Sequence, residues 1–272
     1  MTMPPGSPNE TIVPVYFGPD SSLYGCYNLT SDYRRAPAVL ICQPTGHEYE
    51  RCHRAMRQLA VQSARKGMSA MRFDYYATGD SAGDSEELSL SQMRLDMQQA
   101  IQHCCEKTGV EQLTVVGIRL GATLAAQLTV TCSEIDSLVL YAPVFDGEML
   151  LAEWQRDQRS FYAGFGHQLQ QPRSGEVLGF PVTENFQNEL RQKFTPEALG
   201  PAIKRVLILI DETDSDSALL NGWVKMFKHQ GIKVTVEVVE DIAIWKREPM
   251  EAIVPVKTVR RIVNWITEDL NA

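Results

Sequence analysis

None of the six cysteines in this 272-residue chain is spaced as Cys-x-x-Cys, which excludes a zinc knuckle and a thioredoxin-like redox pair. Cys26, Cys42, Cys52, Cys104, Cys105 and Cys132 therefore read as reduced packing residues. The sequence also lacks a Gly-rich phosphate loop, a Gly-x-Gly-x-x-Gly dinucleotide turn and any His/Asp/Glu spacing of a metal site, so neither a cofactor nor a metal is implied. Positive charge is in deficit: the formal net charge is -8. That argues against nucleic acid or an anionic membrane as the main partner, because both are bound through basic surface. The longest apolar run, residues 113–130, is broken by Gly117, Arg119 and Gly121, and reads as strand, turn and helix rather than as a membrane span. The first residues, Met1-Thr-Met-Pro-Pro-Gly-Ser-Pro, lack the basic-then-apolar order of a signal peptide, and a cytoplasmic location is expected.

What is present fits one large α/β domain with an insertion. Residues 11–17 and 23–29 are strand-like runs around a Gly18-Pro-Asp-Ser-Ser turn, which predicts an opening antiparallel hairpin. Short continuous apolar runs follow at residues 38–42, 68–73, 113–116, 137–141, 206–210 and 234–239, as in strands buried on both faces of a parallel sheet. Helical patterns at residues 53–66, 90–107, 121–131, 217–230 and 251–270 fill the gaps. Such alternation predicts an α/β sheet with helices on both faces. The core is expected over residues 1–143 and 204–272. Between them, 144–203 is a connection of about 60 residues rich in aromatics, and a connection of that length predicts a lid or inserted subdomain. We expect a mostly helical cap, with most of its aromatics packed inside and a few facing a pocket.

The segment that carries most information is Leu113-Thr-Val-Val-Gly117-Ile-Arg119-Leu-Gly121-Ala-Thr-Leu-Ala-Ala. A β-branched strand running into Gly-x-X-x-Gly and then an alanine-rich helix has the form of a nucleophile elbow, whose central residue is normally Ser, Cys or Asp. Arg119 stands at that centre and stays protonated, so it cannot act as a nucleophile. It can instead bind an anion at a helix N-terminus, or stabilise an oxyanion. A buried arginine also demands a carboxylate partner; a salt bridge filling the site is the structural alternative.

The elbow, the order of elements, the insertion and the segments Gln43–Met56, Arg72–Gly83 and Gly117–Ala122 together resemble the α/β-hydrolase superfamily. Within it they resemble the serine aminopeptidase-like branch and the exosortase-associated and biosynthetic-cluster hydrolase-like group. The resemblance implies an α/β-hydrolase fold over nearly the whole chain. It implies an acid after the strand at residues 206–210, where Asp214 stands with Asp211 as a rival. It also implies a histidine after the last strand, yet Glu240-Asp-Ile-Ala-Ile-Trp-Lys-Arg-Glu-Pro249 has none, and the five histidines are His47, His53, His103, His167 and His229. A Ser-His-Asp relay in its usual positions is thus not expected.

The loop Pro44-Thr-Gly-His47-Glu48 is expected near Arg119, with Thr45, Gly46 and Leu120 binding ligand, and with Glu48 capping the next helix. His47 is a candidate acid or base near neutral pH, or a structural hydrogen-bonder. Tyr76 is a candidate donor to a substrate oxygen, or a packed tyrosine. Asp80 and Ser81 are read as turn residues, and Cys42 as inert packing. The expected function is a non-standard acyl-handling protein in which Arg119 binds the ligand oxygen, His47 moves a proton and Asp214 holds Arg119. Its ligand would be an ester, thioester or carboxylate of a lipid, polysaccharide or secondary-metabolite pathway. The rival expectation is a non-catalytic pseudo-hydrolase that binds an acyl ligand or partner protein. A homodimer is left open.

Overall fold

A computed structural model of the chain describes residues 11–165, 175–191, 194, 198–212, 217–240, 243–247, 251 and 253–271. Its main sheet has eight strands: β1 (Thr11–Phe17), β2 (Leu23–Leu29), β3 (Ala38–Cys42), β4 (Ser69–Phe73), β5 (Leu113–Ile118), β6 (Ile135–Tyr141), β9 (Arg205–Ile210) and β10 (Lys233–Val238). They lie in the order β1-β2-β4-β3-β5-β6-β9-β10. The opening hairpin pairs antiparallel, β2 also pairs antiparallel with β4, and every pairing from β4 to β10 is parallel.

The parallel strands are buried on both sides because alternate residues feed two cores. Leu40, Cys42, Val115, Leu138, Leu140, Val206 and Ile208 pack on one face against α2 (Leu90–Thr108), α3 (Leu120–Leu128) and α6 (Ala218–His229). Val39, Ile41, Val116, Val139, Leu207 and Leu209 pack on the other against α1 (His47–Arg65) and α7 (Val256–Ile266). All six cysteines are free thiols. No helix among the described residues is long and apolar enough to cross a membrane.

Two local features bear on function. Helix α1 starts at His47, six residues before the periodic pattern, with Gly46 as its N-cap at φ 60°. Glu48 and Glu50 in its first turn suit the positive end of the helix dipole. The interval between β6 and β9 is not purely helical: α4 (Gly147–Phe165) and α5 (Glu184–Leu190) flank a two-stranded hairpin, β7 (Glu176–Val177) with β8 (Phe180–Pro181). Trp154, Phe186 and Phe194 from this interval are buried in the core. Asp146 opens α4 by accepting the backbone N–H groups of Glu148 and Met149 at 2.9 and 3.1 Å.

The interval is hooked to the core at Thr123, whose hydroxyl donates to the Val144 carbonyl at 2.7 Å and accepts the Val144 N–H at 2.9 Å. Both groups are buried. Thr123→Val keeps the shape but strands a donor and an acceptor, and each stranded group costs about 1–3 kcal/mol. We expect the urea midpoint to fall accordingly; an unchanged midpoint would exclude Thr123 as the hook.

Candidate active site

Strands β3 and β5 are neighbours, but β3 leads to β4 on one side while the chain returns through β5 on the other. The loops leaving β3 and β5 therefore face each other at the point where strand order reverses, the usual ligand crevice of such sheets. The first loop carries Thr45 to Glu48, and the second carries Arg119.

Arg119 sits at the tip of a tight strand-to-helix turn with φ 53° and ψ -122°. Non-glycine backbone in this region costs about 1–3 kcal/mol and persists only when its surroundings over-determine it. The surroundings do so. The Arg119 N–H donates to the Tyr141 carbonyl at 2.9 Å, and its carbonyl accepts the Ala122 N–H at 3.0 Å. A Cβ on Gly121 would lie 2.5 Å from the Cys42 and Gln43 carbonyl oxygens, and one on Gly117 would meet the Ala122 backbone. Both glycines are thus dictated by close backbone approach.

The guanidinium is buried, Arg119 being 6% exposed. Its Nε and Nη2 both lie 3.0 Å from Oε1 of Glu48, and Nη2 also donates to Oε2 of Glu153 at 2.6 Å. Trp154 donates its indole N–H to the same Glu48 oxygen at 3.0 Å. Lys246, in the turn after β10, holds the other Glu153 oxygen at 2.9 Å, and the face of Trp245 lies 4.8 Å from the guanidinium carbon. Two cations and two carboxylates balance one another. Burial opposes the charge on Arg119, but Glu48 and Glu153 outweigh it and raise its pKa further. Burial raises the Glu48 carboxyl, with Arg119 and Trp154 opposing. Its Oε1 accepts two N–H groups, Arg119 Nε–H and the Trp154 indole, and is ion-paired with Arg119 Nη2, the arrangement expected of an acceptor-only carboxylate.

The expected holder of Arg119, Asp214, lies outside the described residues, as does His167. Glu48, assigned from sequence to helix capping, instead turns inward to Arg119, and the cap of α1 has no side-chain hydrogen bond. His47 is 4% exposed, its ring 5.6 Å from that of Trp154. Burial, aided by Arg51 and Arg119, pushes its pKa down to about 3, so the imidazole is neutral at the pH where it was expected to titrate. Tyr76 donates to Glu87 at 3.0 Å on the surface. Leu120 opens α3, with its side chain in the core. Ser81 donates to the Asp74 carbonyl at 2.7 Å and the Asp80 N–H reaches the Asp74 side chain at 3.0 Å, as turn residues do.

Two cavities lie against the loops that follow β3 and β5. One of about 290 Å³ is walled by Arg119, Glu153, Arg156, Asp211, Trp245 and Lys246, with apolar surface from Phe145, Met149, Leu150 and Leu219. Neither His47 nor Tyr76 lines it. A smaller one of about 170 Å³ lies against Thr45, Gly46, Tyr49 and Phe180. Sequence reasoning did not single out Glu153, Trp154, Trp245 or Lys246. The only signal was the demand of Arg119 for carboxylates, and sequence separation hid which ones would meet it.

The imidazole of His47 is expected to show no titration between about pH 5 and pH 8 by NMR; a midpoint near the ordinary histidine value would refute its burial. The Glu153 carboxyl is held below its ordinary 4.5 because burial, which alone would raise it, is outweighed by Arg119 and Lys246. Its stabilising contribution is therefore complete above the unfolded value and is lost as pH falls through the folded one. Glu153→Gln should flatten the loss of stability as pH falls below the ordinary carboxylate value, read as denaturation midpoints. Identical acid slopes in the two proteins would exclude this ion pair.

The family model for serine aminopeptidase, S33, matches residues 35–187, more than half of the chain. No curated protein matches the sequence. Among solved structures, the chain is similar to DcsB in complex with its substrate analogue, with TM-score 0.62, 14% identity, and 97% of this chain and 100% of that one covered. It is similar to the esterase Pf2001 of Pyrococcus furiosus, with TM-score 0.59, 16% identity, and 96% and 90% covered. It is also similar to Est1E from Butyrivibrio proteoclasticus with ferulic acid bound, with TM-score 0.60, 16% identity, and 92% and 96% covered. At these identities the likeness bears on the fold. With its mostly parallel eight-stranded sheet flanked by helices, the chain belongs to the serine aminopeptidase, S33, family of α/β-hydrolases.

Proposed function

We propose that this protein is a non-catalytic member of its family that binds an acyl ligand through a carboxylate, in a lipid, polysaccharide or secondary-metabolite pathway like that of the exosortase-associated group it resembles. The observation that carries this reading is the state of Arg119. It stands at the tip of the tight turn between β5 and α3, is paired with two carboxylates through Nε and Nη2, and still forms part of the wall of a cavity. A guanidinium cannot form an acyl-enzyme. The turn after β10, where the superfamily keeps its base, offers Trp245 and Lys246. His47, the other candidate base, is a weak one with its pKa near 3. What remains is recognition: Arg119 and Lys246 present N–H donors to an anion, while Phe145, Leu150 and Leu219 cover an apolar tail. A cavity of about 290 Å³ stands at the lower end for small-molecule sites, which favours a short chain.

A second reading rests on the backbone. The turn keeps its strain, and the Thr45 hydroxyl and His47 Nε2 are buried with no hydrogen-bond partner among the described residues. Strain and unsatisfied polar atoms cluster at reacting centres, so polarisation of an ester or thioester carbonyl by Arg119, without an acyl-enzyme, is the enzymatic alternative.

Turnover on a panel of acyl esters and thioesters separates the two, with octanoate titration followed by tryptophan fluorescence. The binding reading expects no turnover and saturable octanoate binding that octan-1-ol does not reproduce. Turnover that Arg119→Gln abolishes while the variant stays folded would replace it with the enzymatic reading.

A further inference from the structure

We infer that Glu153 is a built-in stand-in for the ligand's carboxylate, and that a ligand enters by displacing it and thereby releasing α4 from the elbow. The inference rests on the carboxylate-binding reading above and adds how the site is kept closed and what class of ligand opens it.

The two acids on Arg119 differ in kind. Glu48 belongs to α1 in the core, its side chain is 1% exposed, and its Oε1 accepts the Arg119 Nε–H and the Trp154 indole N–H. Glu153 belongs to α4 in the inserted interval, its side chain is 17% exposed, and it lines the cavity. Its two oxygens are bridged between two cations, Oε2 to Arg119 at 2.6 Å and Oε1 to Lys246 at 2.9 Å. A ligand carboxylate set between the same two cations would reproduce both contacts without leaving either cation unpaired. Displacing Glu48 instead would strip a fully buried carboxylate of two hydrogen bonds and its ion pair, which is the costlier exchange. Released Glu153 also has a new partner within reach. Arg156 lies three residues further along α4 and on the same cavity wall, the spacing at which helical side chains of opposite charge meet. The apolar wall then selects a monocarboxylate with a short aliphatic chain over an inorganic anion.

Because the internal carboxylate competes with the ligand, removing its charge should tighten binding. By calorimetry, octanoate is expected to bind Glu153→Gln about tenfold more tightly than wild type, with octan-1-ol binding neither. Hydrogen exchange in residues 147–165 should rise in wild type on adding octanoate and be raised already in unliganded Glu153→Gln. Glu153→Ala serves as a second variant with the same expectation. Octanoate affinity equal to or weaker than wild type in both variants, with α4 exchange unmoved by ligand, would overturn the displacement while leaving the carboxylate site standing. Octanoate binding to none of the three proteins would overturn the displacement and the binding reading together.

Discussion

A guanidinium held at a strained turn inside the protein governs much of what surrounds it. A buried charge without a partner is intolerable, and removing one member of a buried pair typically costs about 3–5 kcal/mol. Arg119 therefore draws Glu48 from α1, Glu153 from α4, and through Glu153 the Lys246 turn after β10. Trp154 supplies an N–H to Glu48, and Trp245 supplies a ring face to Arg119. The intact cluster adds little net stability, since desolvation offsets attraction. Its effect is on arrangement: alternatives that separate these segments leave charges unpaired.

That arrangement has functional consequences. In a hydrolase of this architecture the elbow strain holds a nucleophile ready for attack. Here the same geometry points a fixed positive charge toward a cavity with an apolar wall. One carboxylate on that charge is fully buried and the other is placed on α4 at the cavity edge. On the proposed reading, the polar parts of the site are preorganised for an anion, and α4 is tied to the occupancy of the site through Glu153.

Much of the fold was legible in the sequence, because strands buried on both faces appear as continuous apolar runs and helices as periodic ones. The Gly117-Ile-Arg119-Leu-Gly121 turn was legible too, since two close backbone approaches admit only glycine. The start of α1 was not. Residues 47–52, His-Glu-Tyr-Glu-Arg-Cys, have no apolar period, and the helix begins there because Gly46 adopts a positive φ and acidic residues favour the first turn. The hairpin of β7 and β8 was missed for a related reason: two-residue strands carry no alternation to detect.

The sequence by itself determined that the elbow centre cannot attack a carbonyl and that a buried arginine there must find an acid, since both follow from the chemistry of one side chain. Only the tertiary structure decided which acids: Glu48, 71 positions away, and Glu153, 34 positions away. Partner choice at such separations depends on where helices pack against the sheet, and local pattern holds no record of that. The fate of His47 was decided in the same way, because a histidine's basicity is set by its burial and by the cations around it.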